Sequence, residues 1–216
     1  MILVLDEFFK DPYDVRRIAL QGKKNYILND GRYPGLRWSS LPEDPHPEFP
    51  SSIANYITAK VRYYAEESDL IFTETSFQYS TKEYRDGAFH HDAHGPNRYT
   101  CIIYLSLNAP SNSGTEVCDI GLKEPHSKFY EHLYKVNPLI RRSFNTDPKN
   151  FLKMYRYDRM VKKWNSFFKP IIKVPNKFNR CILFDSSRYH RSQRMFGTSI
   201  ENARLTSVTF LGDKIT

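Results

Sequence analysis

The chain opens on an apolar run, "MILVL", that meets Asp6 and Glu7 at once, a pattern that predicts a first β-strand. In "KDPYDVRRIAL" Asp11 is placed to cap a helix with Pro12 as its first residue and Gly22 as its stop. The next stretch, "NDGRYPGLRWSSLPEDPHPEFP", is dense in Pro and Gly and reads as loop. After Pro50 the apolar positions Ile53, Ile57, Val61 and Tyr64 recur at helical spacing and predict a second helix. From Leu70 the texture changes. "LIFTETSFQYS", "GAFHHD", "RYTCIIYLSL", "GTEVC", "PIIKV", "NRCILFDS" and "ARLTSVTFL" are short, β-branched and aromatic, with turn residues between most of them. One helical insert interrupts the strands: "TDPKN" supplies a cap with Pro148 in the first turn, and Met154, Tyr157, Val161, Trp164 and Phe168 fall on one face. Helices first and then many strands predict an α+β chain around an all-β sandwich or barrel.

Composition sharpens this only in part. At 216 residues, with 40% apolar and 26% charged positions, the expectation is one globular domain over 1–216. Residues 1–69 supply the first strand and supporting helices, and 70–216 the β core with an insert at about 119–169. Cys101, Cys118 and Cys181 lie far apart without metal-binding spacing, which predicts reduced thiols in a cytoplasmic setting. The start lacks the basic flank of a signal peptide, and no run is long enough to span a bilayer. The net charge of +8 is concentrated in residues 121–180, which hold 15 Lys/Arg against 4 Asp/Glu. The helical spacing sends the aromatics of that region inward and its charges outward, as on a solvated basic face. Nucleic acid or an acidic partner is the alternative.

The densest chemistry is "FHHDAH", residues 89–94. On a strand, side chains alternate, so His90 and Asp92 share a face and His91 points the other way. His94 follows too close to the "HGPN" turn to be counted with them. His91 and His94 are therefore read as solvated or supporting histidines. An imidazole and a carboxylate two residues apart can occupy adjacent positions of one metal ion, and the third ligand must come from elsewhere. His190 is the candidate, since it follows the strand-like run that ends at Asp185. Two histidines and one carboxylate on a single face of an octahedral ion leave open positions, as in non-haem Fe(II) oxygenases.

These residues, with Arg204 and Thr206 in "ARLTSVTFL" and the strand "RYTCIIYLS", resemble the Fe(II)- and 2-oxoglutarate-dependent dioxygenases, in particular the prolyl-hydroxylase-like branch. The "SGT" at 113–115 is similar to the turn that opens the following strand in that family, and "DEFFKDPYDVRRIAL", "YPGLR" and "KFNRCILFDSSRYHRS" resemble an uncharacterised bacterial and phage group within it. The resemblance implies a double-stranded β-helix, of the jelly-roll or cupin-like kind. It implies Fe(II) held by His90, Asp92 and His190, with 2-oxoglutarate and O2 as cosubstrates. The far carboxylate of 2-oxoglutarate would meet Arg204, Thr206 and Tyr104, with Tyr79 as a second tyrosine candidate. The implied outcome is hydroxylation of an unidentified substrate, with a peptide, amino-acid side chain or small molecule favoured.

Three other readings stay open on the sequence. An oxidative demethylase acting on nucleic acid would use the basic region. A non-catalytic β-helix domain would bind a metal or partner without turnover. A zinc hydrolase would use the same His, Asp and His but would have no role for Arg204 and Thr206.

Overall fold

The computed structural model describes residues 1–28, 34–84, 86–119, 159 and 161–213. Two β-sheets make up its body, and the chain enters them in the order the apolar pattern dictates. Strand β1 (Ile2–Leu5) is followed by helix α1 (Pro12–Gln21). The side chain of Asp11 accepts the Asp14 N–H at 3.0 Å, Pro12 begins the helix, and the Gly22 N–H closes it on the Ile18 carbonyl. The short β2 (Ile27–Leu28) and β3 (Leu36–Ser40) precede helix α2 (Ser51–Ala65), which buries Ile53, Ile57 and Val61 on one face. Then come β4 (Ile71–Ser80), β5 (Asn97–Tyr104), β6 (Thr115–Cys118), β7 (Pro170–Val174), β8 (Cys181–Asp185), β9 (His190–Ser192) and β10 (Arg204–Gly212).

The larger sheet has the order β1-β8-β5-β10-β4-β3-β2 and the smaller one β7-β6-β9, every pair antiparallel. His90 adds an antiparallel bridge to His190 at the edge of the smaller sheet. Four strands of the larger sheet, β8-β5-β10-β4, thus face β7-β6-β9 and the His90 segment; from β4 onward the chain alternates between the sheets except at β6 and β7, which pair with each other, in the double-stranded β-helix arrangement expected from the sequence. Within the smaller sheet β6 and β7 approach closely at Gly114, ahead of β6, where a Cβ would stand 1.7 Å from the Val174 carbonyl oxygen.

Directly opposed residues in an antiparallel pair project to the same face, so the register states which side chains share the space between the sheets. One row across the larger sheet runs Arg37, Gln78, Thr206, Tyr104. The next runs Ser39, Ser76, Val208, Ile102, Ile182, and the third Glu74, Phe210, Thr100, Phe184. Ile102, Tyr104, Val208, Phe210, Ile182 and Phe184 pack there against Val117 and Val174 of the smaller sheet. The alternate residues, among them Trp38, Phe77, Ile103, Cys181 and Leu205, face outward and pack with Ile53, Ile57 and Val61 of α2 and Val15 and Ala19 of α1. The helices therefore close the back of the larger sheet and leave its front to the site.

Two expectations need correction, and a third is described only in part. The Pro/Gly-rich stretch after residue 28 contains β3, because Leu36–Ser40 alternates Arg37 and Ser39 to the front with Trp38 to the buried back, and that alternation outweighs its flanking turn residues. The "GAFHHD" strand contracts to the single bridge at His90, since the Asp92 N–H turns away to the Ser186 carbonyl at 2.8 Å. The insert helix is described only from its end: residues 159 and 161–165 are helical, with Val161, Trp164 and Phe168 buried as the spacing requires. Its cap, Met154, Tyr157 and most of the basic region fall outside the described residues. No described helix is long and apolar enough to cross a membrane.

Candidate metal centre

His90, Asp92 and His190 converge although ninety-odd residues separate the first pair from the last. The bridge does this: the His90 N–H reaches the His190 carbonyl at 3.0 Å and the His190 N–H returns to the His90 carbonyl at 2.8 Å. Each imidazole is then turned by its own chain. His90 Nδ1 lies 2.9 Å from the Ala88 carbonyl and His190 Nδ1 lies 3.1 Å from the Arg188 carbonyl. A carbonyl accepts only, so the tautomer with the proton on Nδ1 satisfies both contacts and directs each Nε2 toward Asp92. Those Nε2 atoms stand 3.6 Å (His90) and 3.1 Å (His190) from the two carboxylate oxygens of Asp92. One ligand atom from each of the three residues lies within 4.8 Å of the others. Thr100 donates to Asp92 Oδ2 at 3.1 Å, fixing the carboxylate in turn.

The protonation states suit a metal. Burial, reinforced by neighbouring His190, pushes the His90 pKa down to about 4, so the ring is neutral near pH 7. Burial of Asp92 opposes its ionisation, but His190, His90 and the Thr100 hydroxyl outweigh that and hold its pKa below the usual carboxylate range. Neutral imidazole and ionised carboxylate are the forms that coordinate a divalent cation. His91 is directed elsewhere, its ring centroid 5.0 Å from His94 and 5.3 Å from Tyr189, so the alternation read from the sequence holds at this point.

A second polar feature, Arg204 at the start of β10, sits beside Tyr104, four residues along β5 from Thr100. Arg204 is only 4% exposed, yet no carboxylate pairs with it among the described residues. Its Nε donates to the Ser113 carbonyl at 3.2 Å, and its guanidinium lies 5.7 Å from the centre of the Tyr104 ring. Tyr104 is fully buried and its hydroxyl bonds Thr115 at 2.7 Å. Thr206 shares the row of Tyr104. About 13 Å of strand separates Thr100, beside Asp92, from Tyr104, and Ile102, Val208 and Val117 line the interval. Tyr79, the second tyrosine candidate, is opposed to Leu205 and Leu36, packs on Tyr26 at 5.1 Å and belongs to the outward face. It is out of phase with Arg204 by one residue and stands apart from it.

The front of the larger sheet also carries residues that the sequence reading passed over. Glu74 Oε1 accepts from Arg37 at 3.0 Å and from Ser39 at 3.0 Å, and Arg37 donates to Gln78 at 3.2 Å. The available signal was in "TETSFQYS", where Glu74, Ser76, Gln78 and Ser80 put a polar residue at every second position of a strand.

Residues 1–211 match the model of a family of unknown function, DUF6445. The chain belongs to that family. No curated protein matches this DUF6445 member. Solved structures do. The 2-oxoglutarate-dependent carbocyclase SnoK of nogalamycin biosynthesis aligns over 98% of this chain and 79% of its own, with a TM-score of 0.62 at 12% identity. HygX from Streptomyces hygroscopicus, solved with nickel, 2-oxoglutarate and hygromycin B, aligns over 99% and 83% with a TM-score of 0.56 at 14% identity. A prolyl hydroxylase from Trichoplax adhaerens, bound to a hypoxia-inducible-factor peptide, aligns over 98% and 83% with a TM-score of 0.55 at 11% identity. The fold of this DUF6445 protein is therefore the double-stranded β-helix of the 2-oxoglutarate-dependent oxygenases. These likenesses lend no support to a nucleic-acid partner.

Proposed function

We propose that the chain is one Fe(II)- and 2-oxoglutarate-dependent oxygenase domain that hydroxylates a polar substrate. His90, Asp92 and His190 hold the metal through their Nε2 atoms and carboxylate. Arg204 takes the far carboxylate of 2-oxoglutarate, with Tyr104 and Thr206 beside it. When bound, iron, 2-oxoglutarate and O2 together supply the oxidation, giving succinate and CO2 and converting a substrate C–H to C–OH.

The observation that carries this reading is the pairing of the triad with a buried, acid-free Arg204 on one sheet face. A guanidinium taken out of water without an anion is costly, and a bidentate carboxylate is the ligand its geometry fits. A metal-binding domain without turnover, or a hydrolytic zinc site, has no use for that second group. Tyr104, anchored on Thr115, and the wall of Ile102, Val208 and Val117 keep the interval between the polar ends dry. The Nδ1 bonds to Ala88 and Arg188 hold both imidazoles in the tautomer that binds.

The substrate side is set by Glu74, which shares its row with Phe210 and Thr100, two strands or about 10 Å across the sheet from Thr100. Its carboxylate is 28% exposed, and Arg37 and Ser39 occupy only Oε1 among the described residues. An acceptor held in place in this way favours a substrate carrying hydroxyl, amide or amine groups, such as a peptide or amino-acid side chain, over an apolar one.

The test is an anaerobic titration of the protein with Fe(II) and then 2-oxoglutarate, followed by visible absorption. Chelation of the keto acid to Fe(II) produces a charge-transfer band, expected in the wild type and absent in His190→Ala. Folded protein that binds Fe(II) and shows no band would overturn the oxygenase reading.

A further inference from the structure

The segment that carries His90 is gripped from its other edge by side chains of the insert. Its inner edge faces β9 through the bridge to His190. On the outer edge, where a sheet would place another strand, the Phe89 N–H donates to Asn165 Oδ1 at 3.0 Å, and Asn165 Nδ2 donates to the Gly87 carbonyl at 3.1 Å. Trp164 Nε1 donates to the Phe89 carbonyl at 2.7 Å. A side-chain amide presents C=O and N–H as a peptide group does, so Asn165 fills the role of a neighbouring strand. Phe89 itself is 1% exposed, stacked on Phe168 at 4.7 Å with the Arg191 guanidinium 5.0 Å away.

Two of these bonds bear on the metal ligand. The peptide unit joining Phe89 to His90 has its carbonyl held by Trp164 and its N–H held by the His190 carbonyl, from opposite edges. That fixes the plane from which the His90 side chain leaves. Asn165 grips the chain on both sides of Ala88, at the Gly87 carbonyl and the Phe89 N–H. The Ala88 carbonyl is the acceptor that orients His90 Nδ1. One contact thus sets the base of the imidazole and the other sets its rotation.

We propose that Trp164 and Asn165 are positioning residues of the metal centre, which makes the end of the insert part of the site and more than a packed helix face. The proposal rests on His90, Asp92 and His190 binding a metal. Partners of metal ligands that act this way change metal affinity about 10–100-fold when removed. The experiment is a Co(II) titration of the full chain followed by visible absorption, on wild type, Trp164→Phe, Asn165→Ala, His90→Ala, His190→Ala and the double variant His90→Ala/Trp164→Phe. Trp164→Phe keeps an aromatic ring in place while removing the Nε1–H donor and part of the ring volume. Trp164→Phe and Asn165→Ala are each expected to bind Co(II) about 10–100-fold more weakly with an altered d–d spectrum, at a Tm within a few degrees of wild type. In a His90→Ala background, Trp164→Phe should add less than about twofold, because its effect passes through His90. A lowered Tm with unchanged Co(II) affinity and spectrum in both variants would make the contacts structural and overturn the proposal. Equal loss with and without His90 would overturn it as well. Absence of any Co(II) binding that depends on His190 in the wild type would instead remove the metal reading on which it stands.

Discussion

Arg204→Met separates a ligand-binding arginine from a structural one, because the two roles give opposite signs. Arg204 is buried at 4% exposure, and its one hydrogen bond among the described residues is the 3.2 Å contact to the Ser113 carbonyl. Removing a buried charge without a counter-ion relieves a penalty of several kcal/mol. Leaving the Ser113 carbonyl without that donor costs about 1–3 kcal/mol. The balance predicts that the ligand-free variant is as stable as the wild type or more so, by about 1 kcal/mol, a rise of roughly 2–4 °C in Tm for a chain of this size. Affinity for 2-oxoglutarate should move the other way. Truncating one partner of a buried charge-assisted contact costs about 2–5 kcal/mol, or roughly 30- to 5,000-fold in Kd. The assay is thermal denaturation of Co(II)-loaded protein with and without 2-oxoglutarate. At a ligand concentration of about 100 times Kd the wild type gains about 2.7 kcal/mol, which should raise its Tm by roughly 5–11 °C. Arg204→Met should lose at least about two thirds of that gain at the same concentration. A variant that melts several degrees below wild type while keeping its ligand shift would show Arg204 to be a structural cation and refute the cosubstrate assignment.

The remaining expectations concern neighbouring parts of the molecule. His91→Ala should leave Co(II) affinity within about threefold of wild type in the same titration, since its ring faces His94 and Tyr189; loss of binding would place His91 in the centre. The folded protein should resist iodoacetamide at pH 8 at Cys101, Cys118 and Cys181, all buried, with burial pushing the Cys118 thiol up to about 11; prompt alkylation seen by mass spectrometry would contradict this. Gly114→Ala should lower stability by about 1–3 kcal/mol in urea denaturation, because its Cβ would meet the Val174 carbonyl; an unchanged midpoint would mean that the turn ahead of β6 yields freely.

How much of this was legible depended on where the information is local. The caps of α1 are local, and Asp11, Pro12 and Gly22 were readable from residue type alone. The alternation that separates His90 and Asp92 from His91 is a two-residue property and survived even though the strand around it shrank to a bridge. Register is not local. Tyr79 and Gln78 are equally plausible from the sequence, and only the pairing of Tyr79 with Leu205 and Gln78 with Thr206 decides which reaches the site. β3 was hidden for a related reason, since its five residues gain their alternation from pairing with β4 and are flanked by turn-formers. The apolar stripe at Val161, Trp164 and Phe168 was read as packing, and the burial agrees; that an indole N–H and an adjacent amide also serve the main chain beside His90 is written in no pattern of polarity.

The pairing of β1 with β8 has a consequence for how the protein is made. Ile2–Leu5 leave the ribosome well ahead of their partners, Cys181–Phe184. At about 5–20 residues per second the first strand waits roughly 10–40 s before its partner is synthesised. His90 and Asp92 wait for His190 in the same way. Neither the sheet edge nor the metal centre can be completed before His190 has emerged, so any chaperone that shields β1 must hold it until then.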